Sequence, residues 1–266
     1  MLVITRGAGL TAVVDPVRGA KIVSLLDHDG REWLAQADPE AVPGAAFADA
    51  EMAGWDECAP SIVACEVDGR DIPDHGDLWD SLFEIDGSTA RGRGDGYAFE
   101  RRIDPSPVGL RLSYRVLADR PMPFLWAAHP QFAAPAGTRV QLPRSVDVVL
   151  DVLHPEPIPR AWGAKLGTLD TLEPGGYRKY YVDPNHPVFS ASLVRPDGAT
   201  LDLSWSRECP YLGVWLDNAS FSREPVIALE PSTGFYDSLD TAVRANRVTR
   251  LEAGVPLEWW VELSVR

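Results

Sequence analysis

Apolar and polar residues alternate with a period of two along much of this 266-residue chain, the pattern of strands that bury one face. In Leu110-Arg111-Leu112-Ser113-Tyr114-Arg115-Val116 the alternation is strict and predicts a half-buried antiparallel strand. Leu201, Leu203 and Trp205 alternate with Thr200, Asp202 and Ser204 in the same way. The preceding turn Pro196-Asp197-Gly198 predicts a hairpin with residues 189–194. Leu257, Trp259, Val261, Leu263 and Val265 repeat the pattern at the C-terminus, tying the chain end into a sheet. Glycine and proline, 22 and 23 in number, punctuate the chain too often for long helices. Short helices are expected only around residues 238–244 and 46–52. The glycines of Arg91-Gly92-Arg93-Gly94-Asp95-Gly96 do not make a phosphate loop, which would have to open a helix. Another strand-like run follows, Tyr97-Ala98-Phe99-Glu100-Arg101, so the segment reads as a hairpin turn. No repeat or composition break marks a linker. The expectation is an all-β protein, a large antiparallel β-sandwich in which residues 1–266 form a single domain.

Composition narrows the partners. Hydrophobic residues make up 45% and charged residues 24%, as in ordinary globular proteins. A net charge of -14 argues against nucleic acid and against an anionic membrane surface, which both attract basic proteins. Cys58, Cys65 and Cys209 are too few and too scattered for a disulfide framework or a zinc motif and fit a reducing compartment. The N-terminus lacks the apolar core of a signal peptide, and no later run approaches membrane-spanning length. A cytoplasmic, soluble protein is expected. Nothing in the sequence speaks to its oligomeric state.

Two strand ends break the apolar pattern. In residues 124–132, Phe124, Trp126, Ala128, Pro130 and Phe132 share one face, while Leu125, Ala127, His129 and Gln131 share the other. Pro130 has no N–H for a ladder, so pairing should loosen where His129 emerges. The run Pro225-Val226-Ile227-Ala228-Leu229-Glu230-Pro231 likewise ends on a polar group followed by proline. A carboxylate in that setting is costly to desolvate; it either pairs with a cation or has a raised pKa suited to proton transfer. Each group alone could be structural. Together they offer complementary acid and base roles.

A third histidine, His75, lies in Asp74-His75-Gly76-Asp77, where glycine permits close backbone approach and the acids can fix a tautomer. His28, His154 and His186 sit in turn or loop sequence. The cluster Gly54-Trp55-Asp56-Glu57-Cys58 reads as a loop with an exposed tryptophan. No histidine lies at ligand spacing from it and no basic neighbour activates Cys58, so no metal and no cofactor are expected. Trp55, Trp79 and Trp162 can supply flat apolar faces for a ring-shaped ligand, with core packing the default role of each.

The succession Asp29-Gly30-Arg31-Glu32, Gly54-Trp55-Asp56-Glu57, His75-Gly76, His129 and Glu230-Pro231 resembles the aldose 1-epimerase, or galactose mutarotase-like, family. The resemblance implies a β-supersandwich that binds a small-molecule carbohydrate on the concave face of one large sheet. It implies His129 and Glu230 as the catalytic pair and His75 as a substrate-contacting residue. Asp56, Trp55, Trp79, Gln131 and Trp162 complete the expected substrate-binding set. The implied reaction interconverts α and β anomers: Glu230 takes the proton of the C1 hydroxyl while a protonated His129, its pKa raised, donates to the ring oxygen. Two features depart from the family. No arginine occurs between residues 51 and 62, and the sugar-binding aspartate has only Asp170 and Asp183 as nominees. Two alternatives follow, a non-catalytic carbohydrate-binding or sugar-sensing protein and an epimerase of a sugar phosphate. The latter needs a cationic clamp, for which Arg144 and the Arg178-Lys179 pair are the nominees, although a surface ion-pairing role is the expectation for them.

Overall fold

A computed structural model describes residues 2–37, 46–47 and 52–266. Among these residues the strands form two large antiparallel sheets. The ten-stranded sheet runs β1 (Val3–Arg6), β2 (Leu10–Asp15), β3 (Lys21–Asp27), β4 (Gly54–Cys58), β12 (Ala127–Ala133), β20 (Val226–Ser232), β19 (Tyr211–Asp217), β16 (Tyr177–Val182), β14 (Val148–Asp151) and β15 (Ile158–Ala161). The eight-stranded sheet runs β13 (Arg139–Gln141), β17 (Ser190–Val194), β18 (Thr200–Trp205), β22 (Leu257–Val265), β10 (Gly109–Ala118), β9 (Tyr97–Pro105), β8 (Thr89–Gly94) and β7 (Glu84–Asp86). Two small ribbons pair β5 (Cys65–Val67) with β6 (Arg70–Ile72) and β11 (Met122–Phe124) with β21 (Thr249–Leu251).

The alternating sequences become the half-buried strands they predict. Leu110, Leu112, Tyr114 and Val116 of β10 meet Leu257, Trp259, Val261 and Leu263 of β22 in one core. The Pro196-Asp197-Gly198 turn closes the hairpin of β17 and β18, and Asp95-Gly96 closes that of β8 and β9, with Gly94 opposite Tyr97. The short helix α1 (Leu239–Arg244) starts at Ser238, whose side chain accepts the Thr241 N–H. The other helix expected, around residues 46–52, falls largely outside the described residues.

Four sequence expectations are corrected. The run 124–132 is two strands, broken at Leu125 and Trp126, although Phe124, Trp126, Ala128 and Phe132 still share the core. Gly54–Cys58 is an interior strand, not a loop, and every residue in it is buried. Trp55 therefore points into the core, edge-on to Phe132, and offers no face to a ligand. Trp162 also packs on the core side, edge-on to Tyr180.

A polar network lies inside the sandwich. Glu57 accepts hydrogen bonds from Arg101 at 2.7 Å, the Trp126 indole at 2.8 Å and the Tyr114 hydroxyl at 3.3 Å. It thereby joins β4 to β9 and β10 of the facing sheet. Burial pushes the Glu57 carboxyl above its ordinary value, and Arg101, Trp126 and Tyr114 pull against that.

Candidate active site

The face of the ten-stranded sheet turned away from the core carries the polar groups. Strand alternation puts Asp56 and Cys58 of β4, His129 and Gln131 of β12, Glu230 of β20, and Lys179 and Tyr181 of β16 on that face. Pairing of β12 with β4 sets His129 opposite Asp56. On the other side, Ala127 stands opposite Ser232 and Phe132 opposite Ile227, a register that sets His129 opposite Glu230. Between those two pairs the ladder is interrupted, and here Pro130 and Pro231 contribute no N–H.

His129 Nε2 lies 4.0 Å from Glu230 Oε1, and this Oε1 is buried with no hydrogen-bond partner. The other carboxylate oxygen accepts a close hydrogen bond from Lys179. Lys179 also lies 3.4 Å from Asp237, which in turn accepts from the Tyr181 hydroxyl at 2.8 Å. Burial raises the Glu230 pKa to about 7 against the pull of Lys179, with Asp237 adding to the rise. Burial would lower the Lys179 pKa, but Asp237 and Glu230 together lift it above its ordinary value.

For His129 the expected shift is reversed. Its pKa is well below the ordinary value chiefly because it is buried, and the electrostatics of His75, Lys179 and Lys21 lower it further. The imidazole is thus neutral near pH 7, where Glu230, with its pKa of about 7, carries a proton in about half of the molecules. The strand sequence gave His129 no cation as neighbour; the sheet supplies two lysines. Lys179 is correspondingly not the surface ion-pairing residue expected of the Arg178-Lys179 pair. Arg178 turns to Thr171 and Arg144 is exposed. The period of two along Tyr177-Arg178-Lys179-Tyr180-Tyr181 did contain the signal, since it groups Lys179 with two tyrosines.

Asp56 is fully buried and forms an ion pair with Lys21 at 3.1 Å. Burial raises its pKa, opposed by Lys21, His75 and Arg18. Gln131 places its amide nitrogen 3.2 Å from His129 Nε2. His75 arrives from a turn rather than a strand, with left-handed backbone (φ 60°). Gly76 lets that turn dock on the end of β4: it bridges to Ala59, and a Cβ there would stand 2.0 Å from the Ala59 carbonyl oxygen. Asp74 holds His75 Nδ1 at 2.9 Å, and the two histidine rings are 5.0 Å apart. Phe47 stacks on His75 (centroids 3.4 Å, 11°) and meets His129 edge-on at 5.4 Å. Trp79 meets Phe47 edge-on at 5.1 Å, one ring removed from the histidines. Asp170 and Asp183 serve turns, accepting from Gly137 N and Asn185 N. The aspartates beside the pair are instead Asp56 and Asp237.

Cys58 Sγ and one nitrogen each of His75 and His129 gather within 4.8 Å of one another, a convergence that sequence spacing does not reveal. Zinc bonds of about 2.0–2.3 Å would draw such donors to roughly 3.5 Å apart. Burial, with Asp56 and Glu230 alongside, keeps the Cys58 thiol protonated. The trio would have to contract and ionise to hold an ion.

Two large facing antiparallel sheets give the chain the galactose mutarotase-like β-sandwich fold. No protein-family model and no curated protein matches the chain, but solved structures do. The Slr1438 protein of Synechocystis sp. PCC 6803 superposes with a TM-score of 0.78 at 17% identity, over 100% of this chain and 95% of that one. A galactose mutarotase-like protein from Lactobacillus casei gives 0.72 at 18% identity, over the whole of both chains. A candidate aldose 1-epimerase from Escherichia coli K12 gives 0.73 at 14% identity, over 100% of this chain and 99% of that one. At these identities the likeness is one of fold. Among the described residues, no helix is long and apolar enough to cross a membrane.

Proposed function

We propose that this protein is an aldose 1-epimerase-like isomerase that interconverts the α and β anomers of a small carbohydrate without a cofactor. The observation that carries the reading is the 4.0 Å approach of His129 Nε2 to an unpartnered, buried Glu230 oxygen. The reaction needs two proton-transfer groups that close together, because the ring oxygen and the C1 hydroxyl oxygen are bonded to the same carbon. The directions of the two pKa shifts support one order for the first half-reaction. Neutral His129 takes the proton of the C1 hydroxyl and protonated Glu230 gives its proton to the ring oxygen. The bond from C1 to the ring oxygen breaks as the C1 carbonyl forms. After rotation about C1–C2, the carboxylate of Glu230 recovers the proton from the former ring hydroxyl, that oxygen attacks C1, and His129 returns its proton to the carbonyl oxygen. Both groups end as they began. This polarity is opposite to the one the family resemblance implies, and burial is the main reason: it disfavours the charged form of both groups.

Gln131 and Asp56 flank His129, and Lys179 orients Glu230 through the oxygen that does not face the imidazole. His75 and Phe47 pack against the histidine side of the pair. The cysteines are free thiols, which supports a reducing, cytoplasmic setting. In a polarimetric assay across an aldose panel, His129→Asn and Glu230→Gln are each expected to slow anomer exchange at least about a hundredfold. Unchanged rates would end the assignment; sugar binding without any catalysed exchange would leave a carbohydrate-binding protein.

A further inference from the structure

Cys58, His75 and His129 meet although they come from a strand, a turn and a second strand. Cys58 follows Asp56 by two residues on β4 and so stands diagonal to His129, the partner of Asp56 on β12. Gly76 docks the His75 turn on Ala59, the residue after Cys58, and the His75 N–H donates to the Ile62 carbonyl at 2.6 Å. One ligand atom from each of the three lies within 4.8 Å of the other two. The proposed anomer exchange gives the Cys58 thiol no task. A thiol with two imidazoles is a soft donor set, suited to zinc and unsuited to calcium or magnesium. Asp74 completes the pattern from outside. A carboxylate can only accept, so His75 Nδ1 donates to Asp74 at 2.9 Å, which leaves Nε2 to bind an ion. Metal-bound histidines commonly have such an outer partner. Donors on a tetrahedral zinc ion lie about 3.5 Å apart, so the contraction needed is about 1.3 Å at most. β4 and β12 hold Cys58 and His129, and the movement falls to the His75 ring on its turn. His75 is half-buried, and the groove beside it, about 390 Å³ in volume, carries Asp74 and Asp80. Acidic residues there draw cations to the side from which an ion must enter.

We propose that Cys58, His75 and His129 form an inhibitory site for a thiophilic divalent ion, zinc being the best match. Binding makes bonds from the ion to Cys58 Sγ and to one nitrogen of each histidine, and the thiol proton leaves to solvent. The fourth position falls to water or to Glu230 Oε1, which is buried without a hydrogen-bond partner 4.0 Å from His129 Nε2. Lys21 and Lys179 are matched by Asp56 and Glu230, and the thiolate offsets half of the ion's charge. A neutral imidazole has one lone pair on its ring nitrogens. The ion takes that of His129, so the metal-bound state cannot accept the proton of a C1 hydroxyl. The inhibition rests on the proposed function; the binding does not.

The test titrates the full chain, freed of metal by a chelator, with Co²⁺ as a spectroscopic probe and then with Zn²⁺. One Co²⁺ per chain is expected, with the visible bands of a four-coordinate site and a near-ultraviolet thiolate charge-transfer band, both removed by zinc. Asp74→Ala should weaken binding by about tenfold to a hundredfold, as loss of an outer partner does. Cys58→Ala should weaken it further and abolish the charge-transfer band, while Cys65→Ala keeps it. His75→Gln, altered on a turn, supplies the same loss of affinity should Cys58→Ala not fold. Absence of the thiolate band in wild type, or its persistence in Cys58→Ala, would overturn the site. In the polarimetric assay zinc should stop anomer exchange and a chelator restore it. Cys58→Ala should keep the metal-free rate and resist zinc at least about tenfold better; equal inhibition of both proteins would overturn the inhibitory role. Should the metal-free protein catalyse no exchange, the proposed function fails, and the cobalt spectra still decide the site.

Discussion

At the residue scale, the chemistry turns on which group holds the proton. Glu230, raised to about 7, and His129, held well below its ordinary value, titrate as a coupled pair that carries one proton between the two limbs. The rate should therefore fall about tenfold per pH unit above about 7, as Glu230 loses the proton it donates. The acid limb should lie below the ordinary histidine range, where His129 gains a proton. A pH profile of kcat/KM, corrected for uncatalysed mutarotation, reads both. Lys179 pulls the Glu230 pKa down, so Lys179→Met is expected to move the alkaline limb to higher pH. A limb that stays in place would belong to another group. The two strand-end residues were legible in sequence because each interrupts an apolar run before a proline. Their electrostatics were not, because Lys21 and Lys179 lie 108 and 50 positions away from His129 in the chain.

At the scale of elements, the site depends on how closely neighbouring strands and turns approach. A Cβ on Gly213 would lie 2.9 Å from Glu230 Oε2 and 3.2 Å from the Tyr181 ring. Gly213→Ala should push the carboxylate off its line with His129 and cost about tenfold to a hundredfold in anomer exchange. The unfolding midpoint should move little, since the side chain can yield. Gly76→Ala is different in kind: the added carbon meets backbone at 2.0 Å in a residue with φ 76°. That turn must shift and lose stability, by about 1–2 kcal/mol from the left-handed backbone alone, and take His75 with it. Denaturant titration beside the kinetic assay distinguishes the two cases. Alternation in the sequence was enough to place β10, β18 and β22. It could not show that Gly54–Cys58 is interior, because a strand enclosed by strands with Asp56 and Glu57 in it has no apolar signature until Lys21 and Arg101 are brought to those carboxylates.

For the whole molecule, Arg101 and Glu57 are the ionic tie across the sandwich, with both side chains 1% exposed. Arg101→Met should destabilise the protein by about 3–5 kcal/mol, because it strands a buried carboxylate. Adding Glu57→Gln should recover part of that loss, and urea unfolding midpoints measure both. Recovery would locate the cost in the orphaned charge; equal loss in the double variant would locate it in packing.

The sequence by itself determined that the chain is built of antiparallel strands, where several of them turn, and that His129 and Glu230 end apolar runs. These are local properties, set by side-chain period, turn residues and the missing N–H of proline. Only the tertiary structure decided that the two groups face each other at 4.0 Å, that Trp55 and Trp162 belong to the core while Trp215 faces out beside Glu230, and that burial, with His75 and two lysines nearby, keeps His129 neutral. Those outcomes rest on strand order and register, which join residues far apart in the chain, and on burial, which sets the price of charge at each position.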